Sequence, residues 1–273
     1  MDHSRLFTFL DKKNSFNIYY LHGEKLMAEI YKIHNIGPIA SKFYDQTILT
    51  GLHLINFTKI NENIGYYIDS NEPYFRFKIE MNNAGTLRTL LLPEEFEEFP
   101  KAVNGKARVT ISYPNKQPYS SLIELNNTST DDIFNEMLNT SYQTKSKTML
   151  GNKSSILINP LPPTNIDEKF DEIQVATLKT IEEEYGDFLK ETIKENFKTE
   201  DQIIDHFKAK GFNYLASKQV QFNCPCSKAR MVTNLLTLSQ DDQDEVFKEG
   251  PVEIRCDYCN TTYNIAEEDL KVQ

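Results

Sequence analysis

Cys224-Pro225-Cys226 and Cys256-Asp257-Tyr258-Cys259 hold every cysteine of this chain, with the 29 residues Ser227 to Arg255 between them. Two close pairs brought together across such a stretch supply the four thiolates that a tetrahedral zinc ion prefers. The segment that carries them, 218–273, has only 56 residues, below the size at which an apolar core alone reliably holds a fold. Something must staple it. On this reading Cys224, Cys226, Cys256 and Cys259 ligate one Zn2+, and four thiolates leave no open coordination position for catalysis. Two structural disulfides, or four unligated buried thiols, are the other uses the same residues allow. No apolar run reaches signal-peptide or membrane-span length, so the expected compartment is the cytoplasm, where reducing conditions favour the metal. Ligation of this kind is worth on the order of 10 kcal/mol, so the segment is expected to fold with zinc and unfold without it.

Metal-bound thiolates remain oxidisable, and a pair held within bonding distance closes to a disulfide once one sulfur becomes a sulfenic acid. A bridge across Cys224-Pro225-Cys226 spans one residue and lies near the far limit of disulfide geometry, so it would be readily reduced. Lys228, Arg230 and Arg255 flank the pairs, where positive charge favours thiolate. The spacing alone leaves a purely structural zinc and a redox sensor both open.

Upstream lies a connector of different composition, 166–217. From Ile166 to Lys210 there are thirteen acidic residues and seven lysines, a net charge of -6. Apolar residues at Leu178, Ile181, Tyr185, Phe188, Leu189, Ile193 and Phe197 recur at three-and-four spacing, which predicts an amphipathic helix. A second helix is predicted from Thr199, where Thr199 and Gln202 have capping-box spacing, to near Gly211. Before the connector, residues 1–165 alternate strand-like runs, such as Phe75 to Glu80 and Ala107 to Ile111, with helical stretches at Gly37 to Phe57 and Thr130 to Leu138. The expected fold class is therefore α+β: a mixed sheet-and-helix domain, a helical linker, and a small four-cysteine domain at 218–273. Pro160-Leu161-Pro162-Pro163 closes the first domain.

With 39% hydrophobic residues, 17 Phe and 14 Tyr the chain is long enough for a real core. Its formal charge of -10, with no basic patch or aromatic-basic strand motif, argues against a nucleic-acid partner. No His-Glu zinc motif, phosphate loop or Gly-x-Ser-x-Gly is present, and His3, His22, His34, His53 and His206 are scattered, so no enzyme is expected.

Phe222-Asn223-Cys224-Pro225-Cys226-Ser227-Lys228-Ala229-Arg230-Met231, followed by Ile254-Arg255-Cys256-Asp257-Tyr258-Cys259-Asn260-Thr261-Thr262-Tyr263-Asn264-Ile265, resembles the zinc signature of the heat shock protein 33 family, the redox-regulated 33 kDa chaperonins. The stretches Gly85 to Pro93, Asn104 to Ile111 and Pro118 to Leu125 resemble further family segments, as do those around Ser141-Tyr142-Gln143 and Lys153 to Ile156, although these last two depart from the usual pattern and mark a divergent member. The resemblance implies an ATP-independent chaperone, inactive when reduced and zinc-bound. Oxidation would pair Cys224 with Cys226 and Cys256 with Cys259, release zinc and free the connector to hold unfolding client proteins. It also admits a homodimer of the oxidised form, and no membrane partner. The apolar stripe Leu178, Ile181, Tyr185, Phe188 and Ile193 is the expected client-contacting face. A constitutive zinc-ribbon adaptor or nucleic-acid-binding module with purely structural zinc is the alternative.

Overall fold

A computed structural model describes residues 1–162 and 170–271. The chain divides into two compact units, Met1 to Phe222 and a smaller one beginning at Asn223. The first contains β1 (Ser4–Asp11), β2 (Phe16–His22), α1 (Glu24–Ile33), α2 (Pro38–Gly51) with a 3-10 turn at Leu52–Phe57, β3 (Asn63–Asn71), β4 (Tyr74–Asn82), β5 (Thr86–Leu92), β6 (Ala102–Ser112) and β7 (Tyr119–Ser129). It continues through α3 (Ile133–Ser141), β8 (Lys147–Leu150), β9 (Ser154–Pro160), α4 (Phe170–Thr192), α5 (Glu200–Ala209) and β10 (Asn213–Phe222). The second contains α6 (Lys228–Leu235), α7 (Gln240–Phe247), β11 (Val252–Arg255), β12 (Thr262–Ile265) and a 3-10 turn at Glu267–Lys271. This is the α+β architecture predicted.

Ten strands form one sheet in the order β7-β6-β3-β4-β5-β10-β1-β2-β9-β8. Every pairing is antiparallel except β5 with β10, where only Thr86 and Leu87 meet Gln221 and Phe222. At that seam Gly85, at φ +88°, leaves no room for a Cβ against the Gln219 carbonyl. One face of the whole sheet is packed by α1, α2, α3 and the first 3-10 turn, with Leu6, Tyr19, Leu21, Ile64, Phe77, Leu157 and Val220 among its buried side chains.

The strands β1, β2 and β9 are buried on their other face too. Alternation sends Leu6, Tyr19, Leu21 and Leu157 to the first core and Phe7, Phe9, Phe16, Ile18, Tyr20, Ile156 and Ile158 to a second. Runs such as Ile156-Leu157-Ile158 are apolar at every position for that reason.

Two expectations about the linker are corrected here, and α4, α5 and β10 belong to the first compact unit. Its expected end at residue 217 falls inside β10, because Leu6, Arg5 and Ser4 pair with Lys218, Gln219 and Val220, burying Val220. Its expected start at residue 166, with Pro163, lies outside the described residues. The first connector helix stops at Thr192 rather than running to Phe197. There the Ser154 hydroxyl donates to the Ile193 carbonyl at 3.0 Å, and Lys194 and Glu195 tighten into three-residue turns. The α5 helix forms as predicted, with both capping-box bonds between Thr199 and Gln202. It ends in a Schellman turn: Gly211, at φ +92°, donates to Lys208 and Phe212 donates to Phe207.

Candidate metal centre and the covered sheet face

The small unit buries few apolar side chains, chiefly Val232, Leu235, Phe247 and Ile265 among the described residues. Its local structure instead organises around the cysteines. Ser227, directly after the first pair, caps α6 by accepting from the Arg230 amide at 3.3 Å. The second pair sits in the turn between β11 and β12, whose last paired residues are Arg255 and Thr262. The Cys256 carbonyl accepts from the Asn260 amide at 2.8 Å, the Cys256 amide donates to the Thr261 carbonyl at 2.9 Å, and Asn260 takes a left-handed φ of +58°. This tight turn holds both sulfurs close to those of the first pair.

The structure thus brings all four predicted cysteines together, with every Sγ within 4.8 Å of the others and none bridged. Cys224 Sγ lies 3.8 Å from Cys256 Sγ, and Cys226 Sγ lies 3.2 Å from Cys259 Sγ. A tetrahedral ion with metal–sulfur bonds of about 2.3 Å requires sulfurs roughly 3.8 Å apart, so the cluster fits a four-thiolate metal site with small adjustment. All six edges of a tetrahedron are equivalent, so these contacts do not select disulfide partners.

The sulfurs differ in surroundings. Burial pushes the Cys226 thiol up against an opposing hydrogen bond from Tyr263, and burial raises Cys256 as well. Burial also works against ionisation of Cys259, but bonds from the Thr261 side chain and backbone and from Cys226 and Cys224 outweigh it, bringing Cys259 to about 7. Lys228, expected to support thiolate, is ion-paired with Asp269 at 2.7 Å because the start of α6 lies beside the last 3-10 turn. Hydroxyl and backbone groups surround the sulfurs instead.

In the first unit, Leu178, Ile181, Tyr185, Phe188 and Ile193 all reach the second core, where Ile181, Phe188 and Ile193 are buried and Leu178 and Tyr185 partly so. They are joined there by Ile203, Phe207 and Phe212. Phe207 stacks on Phe9 with ring centroids 4.1 Å apart. Polar clasps border the contact: the Tyr185 hydroxyl donates to Asp11 at 2.9 Å, Lys13 meets Glu184 at 3.1 Å, Arg5 meets Glu200 at 3.0 Å and Lys147 meets Glu182. The sheet residues of this contact are not evident from helical periodicity. Their signal is the strand Phe16 to Leu21, nearly all apolar, which implies cover on both faces.

Of the histidines, His22, His34 and His53 are buried, His206 is half-buried and His3 is exposed. His53 is fully buried with Nε2 2.8 Å from the Ser155 hydroxyl, His34 pairs with Glu94, and His206 stacks on Phe188. No helix among the described residues is long and apolar enough to cross a membrane.

A profile of the family described as Hsp33 protein matches residues 4–266. Proteins named 33 kDa chaperonin from Thermosipho melanesiensis and Bacillus subtilis (strain 168) are 25% and 24% identical to this chain, each over 90% of it and over 90% and 89% of their own lengths. A solved structure described as the 33 kDa chaperonin (heat shock protein 33 homolog) of Thermotoga maritima shares the fold, with a TM-score of 0.72 at 16% identity over 98% of this chain and 97% of that one.

Proposed function

This chain belongs to the Hsp33 family, and from that premise we propose that it is an ATP-independent holding chaperone of the cytoplasm, switched on by oxidation of its four cysteines. The observation that most supports the reading is the covered sheet face. The connector hides two apolar surfaces at once: its own stripe of Leu178, Ile181, Tyr185, Phe188 and Ile193, and the sheet residues Phe7, Phe9, Phe16, Ile18, Tyr20, Ile156 and Ile158. Lifting α4 and α5 would uncover both for unfolding clients.

Zinc held by Cys224, Cys226, Cys256 and Cys259 would supply the cross-link that the small unit's sparse core lacks. Oxidation removes those ligands. One thiolate takes an oxygen atom from a hydroperoxide to become a sulfenic acid, releasing alkoxide or hydroxide, and a second thiolate displaces hydroxide to form the disulfide. The proposed pairs are Cys224 with Cys226 and Cys256 with Cys259, so two hydroperoxides are consumed. The chain runs from Phe222, the last residue of β10, to Cys224 through Asn223 alone, so loss of order at the cysteines acts directly on the end of the connector. Acid-rich α4 favours opening by its own repulsion once released. Oxidised copies dimerise in this reading.

The test is light scattering of a chemically unfolded client diluted into the reduced, zinc-loaded protein and into the same sample after peroxide at mildly raised temperature. Suppression of aggregation by the oxidised sample alone is expected. If both samples behave as buffer while zinc stays bound, the metal is structural and the switch is wrong. Replacing the five stripe residues with serine should weaken holding, and unchanged holding would remove them as client contacts.

A further inference from the structure

The Tyr263 phenol oxygen lies 3.1 Å from Cys226 Sγ. The ring is placed independently of that contact: Tyr263 pairs with Ile254 across the β11–β12 hairpin and packs against the cluster of Val232, Leu235, Phe247 and Ile265. Strand register and apolar packing therefore deliver the hydroxyl to the sulfur. A thiolate carries no proton, so in the ligating form the phenol must be the donor, and a hydrogen bond to a charged acceptor is among the stronger ones.

We infer that Tyr263 is a positioning residue that restrains the Cys226 thiolate, setting how fast this sulfur reacts with hydroperoxides and other electrophiles. The inference rests on the redox reading above for its physiological meaning. Attack on a hydroperoxide uses a sulfur lone pair: the S–O bond forms, the O–O bond breaks, the sulfur is oxidised to sulfenic acid and alkoxide or hydroxide leaves. The O–H···S bond holds electron density at that sulfur and must weaken as the lone pair turns to the oxidant. The neighbouring Cys259 has a comparable contact with the Thr261 hydroxyl at 3.2 Å, which Tyr263 does not make. That sulfur is the internal control.

The variant is Tyr263→Phe, which keeps the packed ring and removes only the hydroxyl. In reduced, zinc-loaded full-length protein, iodoacetamide labelling of Cys226 and Cys259 is followed by peptide mass spectrometry, and zinc released by hydroperoxide is followed with a colorimetric chelator. Losing part of a charge-assisted bond in the transition state predicts labelling of Cys226 and release of zinc roughly fivefold faster. Labelling of Cys259 should stay within about threefold of the parent, and zinc affinity by chelator competition should fall by about tenfold, the low end for removing a partner of one metal ligand. Unchanged labelling at Cys226 overturns the inference. So does a much larger fall in zinc affinity with equal acceleration at both cysteines, which marks Tyr263 as merely structural. If hydroperoxide releases no zinc from either protein, the redox reading fails, while the alkylation rates still decide the role of Tyr263.

Discussion

Phe207→Ala should uncouple the connector from the sheet without touching the cysteines. Phe207 is fully buried and is the hub of the second core, stacked on Phe9 at 4.1 Å and packed against Tyr20, Phe188 and Phe212 with ring centroids 5.6 to 5.8 Å away. Truncating a buried Phe to Ala costs about 3–5 kcal/mol, through the forfeited transfer energy and the cavity left behind. Phe207 sits on α5 and its stacking partner Phe9 on β1, so the cost falls on the state in which the connector covers the sheet. The population with α4 and α5 lifted then rises by about two to more than three decades, since each 1.4 kcal/mol is tenfold. Amide exchange in the reduced, zinc-loaded variant should accelerate in α4 and α5 while α1 and α2 keep their protection, and the reduced protein should begin to hold an unfolded client. Ile48→Ala, which empties a fully buried position in the opposite core, is the control and should not loosen α4 selectively. Equal acceleration across all helices in Phe207→Ala would mean that the cover and the first core unfold as one, and the mechanism of release by lifting would be refuted.

Chelation of the metal, or Cys256→Ser, should abolish the helical signal of α6 and α7 while the sheet of the first unit persists, as measured by circular dichroism and amide exchange; a small unit that stays folded without metal would contradict the sparse-core argument. Gly211→Ala forces a Cβ into φ +92° and should destabilise the end of α5 by about 1–2 kcal/mol, read as faster exchange of the last α5 amides. Burial lowers His53 to about 3, against an unfolded value near 6.5, so the unfolded chain takes up a proton that the native state refuses. The resulting stability is complete above about pH 6.5 and falls as pH drops toward 3, by about 2 kcal/mol at pH 5 from this residue alone. Urea midpoints of the first unit at pH 7.5 and 5 should differ less in His53→Gln than in the parent, and an identical difference would rule His53 out.

The four-cysteine cluster was readable because the spacing of Cys224, Cys226, Cys256 and Cys259 is set by the covalent chain, and the size of the segment called for a staple. The α5 boundaries were readable for a similar reason: the Thr199–Gln202 box and the Gly211 turn each act within six residues. The stripe on α4 could be recognised as apolar from its spacing, but its partner could not, because Phe7, Phe9, Ile18 and Ile156 lie far away in sequence. Only tertiary structure placed Lys218 to Phe222 in the middle of the sheet beside β1, joining residues more than two hundred positions apart, and only it carried the Tyr263 hydroxyl to Cys226. Local preferences specify elements and caps. Which face meets which, and which hydroxyl meets which sulfur, is decided by burying all the apolar faces at once, a condition that no short window of sequence contains.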